Sequence, residues 1–265
     1  MRAPILVTGG TGTIGRQVVP LLRDAGQDVR VLTRQDRESG NGVEYVTGDL
    51  MKDEGIEAAL DGVETVMHLA GGGKGDEEVA RNLMAAVARA RVRHIVLISV
   101  IAADRVPLAW MKTQVAVERT VAESGVPYTI LRAAQLHDLV VKVVESMAKL
   151  PVVPIPGGLR FQPVDGRDVA ARLVELALGE PAGRVPDLAG PEVYGMRDLV
   201  TGYLGARGKR RPKMPVRIPG KAGRAYRAAD NLTVDGADHG TRTWEDFLDE
   251  RLGRRAEALT GARAS

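Results

Sequence analysis

The stretch Thr8-Gly9-Gly10-Thr11-Gly12-Thr13-Ile14-Gly15 lies between two segments of different periodicity, the short apolar run Ala3 to Thr8 and the amphipathic run Thr13 to Ala25. A strand, a glycine-rich turn and a helix are therefore expected in that order. The spacing G-x-x-G-x-x-G lets the chain turn tightly at Gly9. It brings backbone close to a ligand at Gly12 and packs helix against strand at Gly15. Amides at the helix start would then face an anion, so Gly9, Thr11, Gly12, Thr13, Ile14 and Gly15 form a candidate pyrophosphate cradle.

The same rhythm continues outward from the turn. Strands are expected at Asp28 to Thr33, Val43 to Thr47, Val63 to His68, His94 to Ser99 and Pro127 to Arg132, with helices at Glu54 to Leu60, Asp76 to Ala90 and Leu108 to Ser124. Strands joined by helix-length crossovers run parallel, and the right-handed crossover rule winds them into a doubly wound α/β sheet of the Rossmann type. After Arg132 the rhythm loosens. A helix at His137 to Lys149 leads into a Pro-broken stretch (Pro151, Pro154, Pro156), an extended piece at Phe161 to Val164 and a helix at Arg167 to Leu178. Helical segments follow at Met196 to Gly205 and Thr243 to Leu252. The expected division is a dinucleotide-binding domain over 1–170 and a smaller carboxy-terminal α/β subdomain over 171–265, interleaved with 133–170 and set over the strand carboxyl ends.

Bulk properties narrow the classes. With 44% hydrophobic and 27% charged residues, disorder is disfavoured. Aromatics are only 3%, so the core rests on Val, Leu, Ile and Ala, as suits a parallel sheet buried on both faces. No cysteine is present and the four histidines lack ligand spacing, so neither disulfide nor thiolate chemistry is available and no metal site is expected. The first strand starts near the amino terminus and no apolar run approaches a membrane span, so a cytoplasmic protein without membrane attachment is expected. Net charge is +3. The basic stretch Arg207 to Arg227 is interrupted by prolines and matches no zinc finger or helix-turn-helix, which argues against a nucleic-acid partner. A small molecule is the expected partner, with the chain acting as monomer or homodimer.

The end of the second strand bears on the cofactor. A site for NAD(H) usually places a carboxylate there for the ribose 2′-hydroxyl, whereas this strand ends at Thr33-Arg34 with Arg37 close behind. Guanidinium groups attract a 2′-phosphate, so NADP(H) is expected in preference to NAD(H). The run Gly71-Gly72-Gly73-Lys74 fails the G-x-x-x-x-G-K-[ST] pattern and reads as a loop bordering the cofactor.

With TGGTGTIG at 8–15, GDL at 48–50, HLAGG at 68–72, HIVLISV at 94–100, Lys112 followed by Glu118, YTILRAAQLHD at 128–138 and VDGRDVAARLVELA at 164–177, the chain resembles the atypical branch of the short-chain dehydrogenase/reductase superfamily, where the NmrA-like and isoflavone-reductase-like proteins lie. The resemblance implies that Asp49 and Leu50 flank the adenine and that His68, Leu69, Ala70 and Gly71 line the path to the nicotinamide. It also implies a catalytic Ser at the fifth strand's end and a Tyr four residues before a Lys that holds the nicotinamide ribose. Ser99 and Lys112 fit, but position 108 is Leu, which transfers no proton. In the isoflavone-reductase-like enzymes the Lys persists without that Tyr, so turnover is not excluded.

Beyond the sixth strand, Arg132, Gln135, His137 and Asp138 fall on the side where open α/β sheets bind ligands, and with Trp110 they form the expected substrate wall. His137 is a candidate proton donor in place of the missing Tyr, since imidazole titrates near neutrality. Asp168 precedes the apolar pattern VAARLVELA and reads as a helix-start carboxylate. Two functions remain in view: an NADPH-dependent reductase of a small hydrophobic carbonyl, quinone or enone, or an NmrA-like sensor that binds NADP(H) and regulates without chemistry.

Overall fold

The computed structural model describes residues 3–233 and 235–261. Its first half follows the expected alternation: β1 (Ile5–Thr8), α1 (Gly15–Asp24), β2 (Val29–Thr33), β3 (Val43–Thr47), α2 (Ile56–Leu60), β4 (Thr65–His68), α3 (Asp76–Ala90), β5 (His94–Val100), α4 (Ala109–Ala122) and β6 (Tyr128–Ala133). The second half adds α5 (His137–Met147), β7 (Val153–Pro156), β8 (Arg160–Phe161), α6 (Gly166–Leu178), β9 (Gly183–Arg184), β10 (Leu188–Ala189) and β11 (Tyr194–Gly195). It ends in α7 (Met196–Ala206), β12 (Lys213–Val216), α8 (Gly220–Ala228), β13 (Asp238–His239) and α9 (Trp244–Gly261).

Among the described residues nine strands form the main sheet, ordered β13-β10-β6-β5-β4-β1-β2-β3 with β9 also on β6. Every pairing in it is parallel. The order 3-2-1-4-5-6 reverses direction between β1 and β4, and that switch point opens a crevice beyond the strand carboxyl ends.

Strands buried on both faces read as continuous apolar runs, and Ile5 to Val7 or Ile95 to Leu97 are of that kind. One face carries α1 and α6, with Val18, Leu22, Val169 and Leu173 in its core; the other carries α2, α3 and α4, with Ile56, Leu83, Val87 and Val121. Each such side chain contributes roughly 1.5–3 kcal/mol by leaving water. A third core joins α5, β7, α7 and α9 through Val144, Ile155, Leu199 and Trp244, above the carboxyl edge of the sheet. Helix α6 straddles residue 170 yet buries its apolar residues against the main sheet, and β10 and β13 extend that sheet.

Periodicity alone misses the strand β7. Pro154 and Pro156 suggest a broken stretch, but the ladder to β12 uses the amides of Val153 and Gly157, which donate to Pro212 and Val216. The prolines occupy the alternate positions, where no donor is required. Helix α8, hidden within the basic segment, likewise emerges only in the structure. Among the described residues no helix is long and apolar enough to cross a membrane.

Candidate functional site

Two adjoining cavities fill the crevice. The first, about 660 Å³, is walled by the ends of β1 (Thr8, Gly9, Thr11), β2 (Thr33, Arg34, Arg37), β3 (Asp49, Leu50) and β4 (Ala70, Gly71). Its glycines are dictated by contact. Gly9 has φ +71°, and a Cβ there would lie 2.6 Å from the Ala70 nitrogen; at Gly15 it would lie 2.2 Å from the Gly9 carbonyl oxygen. The Gly12 amide closes the turn onto the Gly9 oxygen at 2.9 Å, and α1 begins at Ile14 without a side-chain cap. The Arg16 and Gln17 amides bond to the Gly12 and Ile14 carbonyls at 3.1 and 2.9 Å, so an anion here would be met by the amides of the turn that precede them. Ile14 itself turns into the core, 7% exposed, so any contact with a ligand there is through its backbone.

The second cavity, about 440 Å³, is lined by the ends of β4, β5 and β6 and by helices α4, α5, α7 and α8. Its walls are Leu97, Ile98, Val117, Ala133, Leu136, Val140, Met196 and Leu199, with Ser99, Gln114 and Gln135 as polar points. Ala70, Gly71 and Asp76 border both cavities, so the two form one continuous channel.

The shared border is ordered by a carboxylate. Asp76 accepts from the Gly72 and Gly73 amides (2.8 and 3.2 Å) and from Gln114 Nε2 (3.2 Å). It thereby fixes the glycine loop and one residue of α4. Beside it His68 is fully buried, its Nδ1 2.7 Å from the Thr8 hydroxyl. Burial lowers the His68 pKa to about 4, against the opposing charge of Asp76, so the ring is neutral at pH 7.

At the floor lies a buried polar chain. Ser99 donates to Glu118, and Glu118 accepts from Arg132 Nε and Nη2 at 2.8 and 2.7 Å. Arg132 Nη1 reaches Asp104 at 2.9 Å. Burial works against the Arg132 charge, but the bonds and charges of Glu118 and Asp104 outweigh it and raise its pKa above the ordinary value.

Several expected residues meet and others do not. Ser99, Gln135, Trp110, Leu69, Ala70 and Gly71 line the second cavity, and Thr33, Arg34, Arg37, Asp49 and Leu50 line the first. Arg132 is 4% exposed and lines neither, its donors being engaged by two carboxylates. His137 is also absent from the wall. Helix α5 turns it inward with Val141 and Val144, fully buried, its ring 5.1 Å from Phe247 and 5.7 Å from Trp244. Its Nδ1 stands 3.7 Å from Asp165, too far for a hydrogen bond. Burial opposes ionisation of Asp165, yet the paired bonds from Arg167 hold its carboxyl far below the usual range.

Lys112 is exposed and borders neither cavity. The residues that α4 presents to the second cavity are Trp110, Gln114 and Val117, spaced i, i+4, i+7, and a residue two positions from Trp110 lies on another face of the helix. Leu108 precedes the helix as its N-cap. The pair at the Tyr-to-Lys spacing facing the cavity is thus Trp110 and Gln114. Lys74, expected in the loop bordering the cofactor, lines the first cavity, whereas sequence reasoning missed Phe161 and Tyr226 in the second. Lys74 was legible beside its glycines, whereas Tyr226 arrives on α8 from far along the chain. The Tyr226 hydroxyl has no hydrogen-bond partner among the described residues, and burial raises its pKa.

The glycine cradle, the two basic side chains at the β2 end and the apolar chamber beyond fit a dinucleotide in which a flat ring enters the second cavity. A family profile described as NAD(P)H-binding matches residues 9–177. The (4-alkanoyl-5-oxo-2,5-dihydrofuran-3-yl)methyl phosphate reductase of Streptomyces griseus is 35% identical over 203 residues, covering 73% of this chain and 70% of the relative. The NAD(P)H azoreductase of Xenophilus azovorans is 27% identical over 216 residues, covering 77% and 74%. Among solved structures, an Escherichia coli NADPH-dependent quinone oxidoreductase complexed with NADPH superposes with TM-score 0.81 over 93% of this chain and 99% of its own, at 19% identity.

Proposed function

The chain belongs to the NAD(P)H-binding family, and on that premise we propose that it is an NADPH-dependent reductase of a small apolar quinone or conjugated carbonyl. The continuity of the two cavities carries this reading. A polar cleft beside the glycine turn opens across Ala70, Gly71 and Asp76 into an apolar chamber of about 440 Å³. The names of the two reductase relatives, one acting on an oxo-dihydrofuran and one an azoreductase, support a conjugated acceptor.

Bound in this channel, the reduced nicotinamide would supply the hydride. The chain's own residues do the rest. The turn from Gly9 to Gly15 holds the pyrophosphate. Asp49 and Leu50 border the adenine, and Arg34 and Arg37, joined by Lys74, favour the cofactor with a 2′-phosphate. Asp76 fixes the Gly72-Gly73 loop and orients Gln114 at the border of the two cavities, which the nicotinamide would cross. Neutral His68, tied to Thr8, closes the wall without adding charge. The apolar walls exclude water around the reacting carbon.

Neither Trp110 nor Gln114 acts as a proton donor. We assign that role to Tyr226, which lines the second cavity: a phenol is protonated at neutral pH whether or not burial raises its pKa, and its hydroxyl would donate a hydrogen bond to the acceptor oxygen, where negative charge develops. Ser99 is held by Glu118 and shapes the floor.

The test is NADPH consumption across a panel of quinones and enones, paired with calorimetric binding of NADPH and NADH. Turnover of at least one acceptor, with tighter binding of NADPH, is expected. NADPH binding without turnover of any acceptor would overturn the reductase reading in favour of a regulatory binder.

A further inference from the structure

We propose that the second cavity takes an acceptor carrying an unbranched alkyl or acyl tail, and that helix α5 is the rail along which the tail lies. This rests on the reductase reading and specifies its substrate. Helix α5 sorts its apolar residues onto two faces. Val141 and Val144 are buried in the third core, and Val140 stands at the seam, belonging both to that core and to the cavity wall. Leu136, at its N-cap, and Leu139, Val140 and Val143 all line the cavity, at the spacing i, i+3, i+4, i+7.

The exposure along that second row is the telling feature. Leu136 is half-buried and Val140 is 8% exposed, while Leu139 is 54% and Val143 45% exposed. Single exposed apolar side chains need no explanation, but a contiguous apolar row running from a chamber floor to its rim marks a binding surface. From Leu136 to Val143 the row extends roughly 10 Å along the helix axis. Trp110, 47% exposed, forms part of the rim on α4.

The chemistry of the wall selects the occupant. Among the described residues lining the cavity, Asp76 is the one carboxylate and there is no Lys or Arg, and Asp76 sits at the border with the first cavity. A tail leaving the reacting group toward Val143 therefore meets branched aliphatic side chains and no charge. A compact ring alone would leave the outer half of the row in water, whereas a flexible hydrocarbon chain covers it.

The experiment uses the full chain and two homologous series. One is 2-alkyl-1,4-benzoquinones from methyl to decyl, assayed with NADPH; the other is the corresponding n-alkyl alcohols, which are not reduced, titrated calorimetrically into the protein with NADP present. The expected result is a fall in quinone KM, and in alcohol Kd, of about three- to fourfold per added methylene, flattening once the tail outgrows the row. Little change in kcat is expected, because the tail binds equally in ground and transition states. In the double variant Leu139→Gln, Val143→Gln, at two exposed positions, the per-methylene gain of the longer members should disappear while the thermal midpoint stays near that of the parent.

Measurable turnover with KM and Kd indifferent to tail length would overturn the rail and leave the reductase reading intact. If no quinone turns over, that reading fails, and the alcohol series still decides the rail by the presence or absence of the methylene slope. A flat alcohol series together with a dimer that dissociates in the double variant would assign the row to a second copy of the chain and overturn the proposal.

Discussion

Glu118 holds Arg132 by two hydrogen bonds, Nε to Oε1 at 2.8 Å and Nη2 to Oε2 at 2.7 Å, directly below the cavity floor. The side chains are 11% and 5% exposed, so removing Arg132 strands the buried Glu118 carboxylate, whereas removing Glu118 leaves Arg132 its Asp104 partner alone. Arg132→Ala should destabilise the fold by about 3–5 kcal/mol in denaturant titrations, and Glu118→Ala by less, because Asp104 still faces the guanidinium. Arg132→Lys should recover little, because a single ammonium does not reproduce the two-point contact. A substrate-binding role for Arg132 would instead raise KM and leave the unfolding midpoint in place.

His68 gives the fold a defined acid limit. Its pKa falls from an ordinary 6.5 in the unfolded chain to about 4 in the folded protein, chiefly through burial. The unfolded chain therefore binds the extra proton first. The contribution is complete above pH 6.5 and is lost progressively as the pH drops toward 4, amounting to about 3 kcal/mol in all. Unfolding free energies of the parent and of His68→Gln, measured between pH 7 and 4.5, should differ in slope over that window. Parallel curves would contradict the assignment.

The first half of the fold was legible because local pattern and tertiary role agree there. Helix α3 runs Asp76–Ala90 and strand β3 Val43–Thr47, as their periodicity indicates. Around the first cavity, Thr33, Arg34 and Arg37 follow directly from the end of the strand that carries them, while Asp49 was implied by the family resemblance. The far wall was less legible for physical reasons. The phase of α4 is set by packing Met111 and Val121 into the core, which sends Lys112 to solvent and Gln114 to the cavity, and a spacing taken by resemblance carries no such phase. His137 reads as polar and titratable, yet the aromatic ring of Trp244, over a hundred residues later, receives it. Tyr226 depends on β12 pairing with β7, a long-range contact between two Pro-containing strands.

Lys112 and Gln114 can be separated by mutation. Lys112→Ala alters an exposed side chain that borders neither cavity, so stability should stay within about 0.5 kcal/mol and kcat/KM within about twofold. Gln114→Leu removes a donor to Asp76 beside the channel, and NADPH affinity should fall by about 10- to 15-fold, the worth of one hydrogen bond to a charged group at the low end. Steady-state kinetics and calorimetry on the two variants read both effects. A large loss in Lys112→Ala would restore the lysine to the site.

Cofactor choice should follow the cations at the β2 end. Arg34 and Arg37 border the first cavity with Lys74, and a charge-assisted contact to phosphate contributes about 1.5–3 kcal/mol. Arg34→Ala, with Arg37→Ala alongside, should each weaken NADPH binding by roughly 10- to 100-fold while leaving NADH nearly unchanged. The parent's NADPH affinity should also fall with added salt more steeply than its NADH affinity, since these side chains are exposed and screened. Equal losses for the two cofactors would show that the arginines serve the pyrophosphate or the fold instead.

Tyr226 provides the sharpest test of the chemistry, because the alternatives predict different kinetic signatures for one oxygen atom. The phenol borders the chamber, lacks a partner among the described residues, and is protonated at neutral pH, with burial raising its pKa further above the ordinary value. Tyr226→Phe keeps the ring that packs against Phe161, centroids 5.7 Å apart, so the thermal midpoint should hold. If the hydroxyl stabilises charge on the acceptor oxygen, kcat falls by roughly 10²- to 10³-fold with little change in acceptor KM, since the bond strengthens as charge develops. If it only anchors the ground state, KM rises and kcat is retained. If the ring alone matters, neither constant moves, and the proton must reach the product from solvent. The pH profile adds an independent arm: with the phenol as donor, the parent's kcat should fall on an alkaline limb above the ordinary Tyr range, and that limb should be absent from Tyr226→Phe.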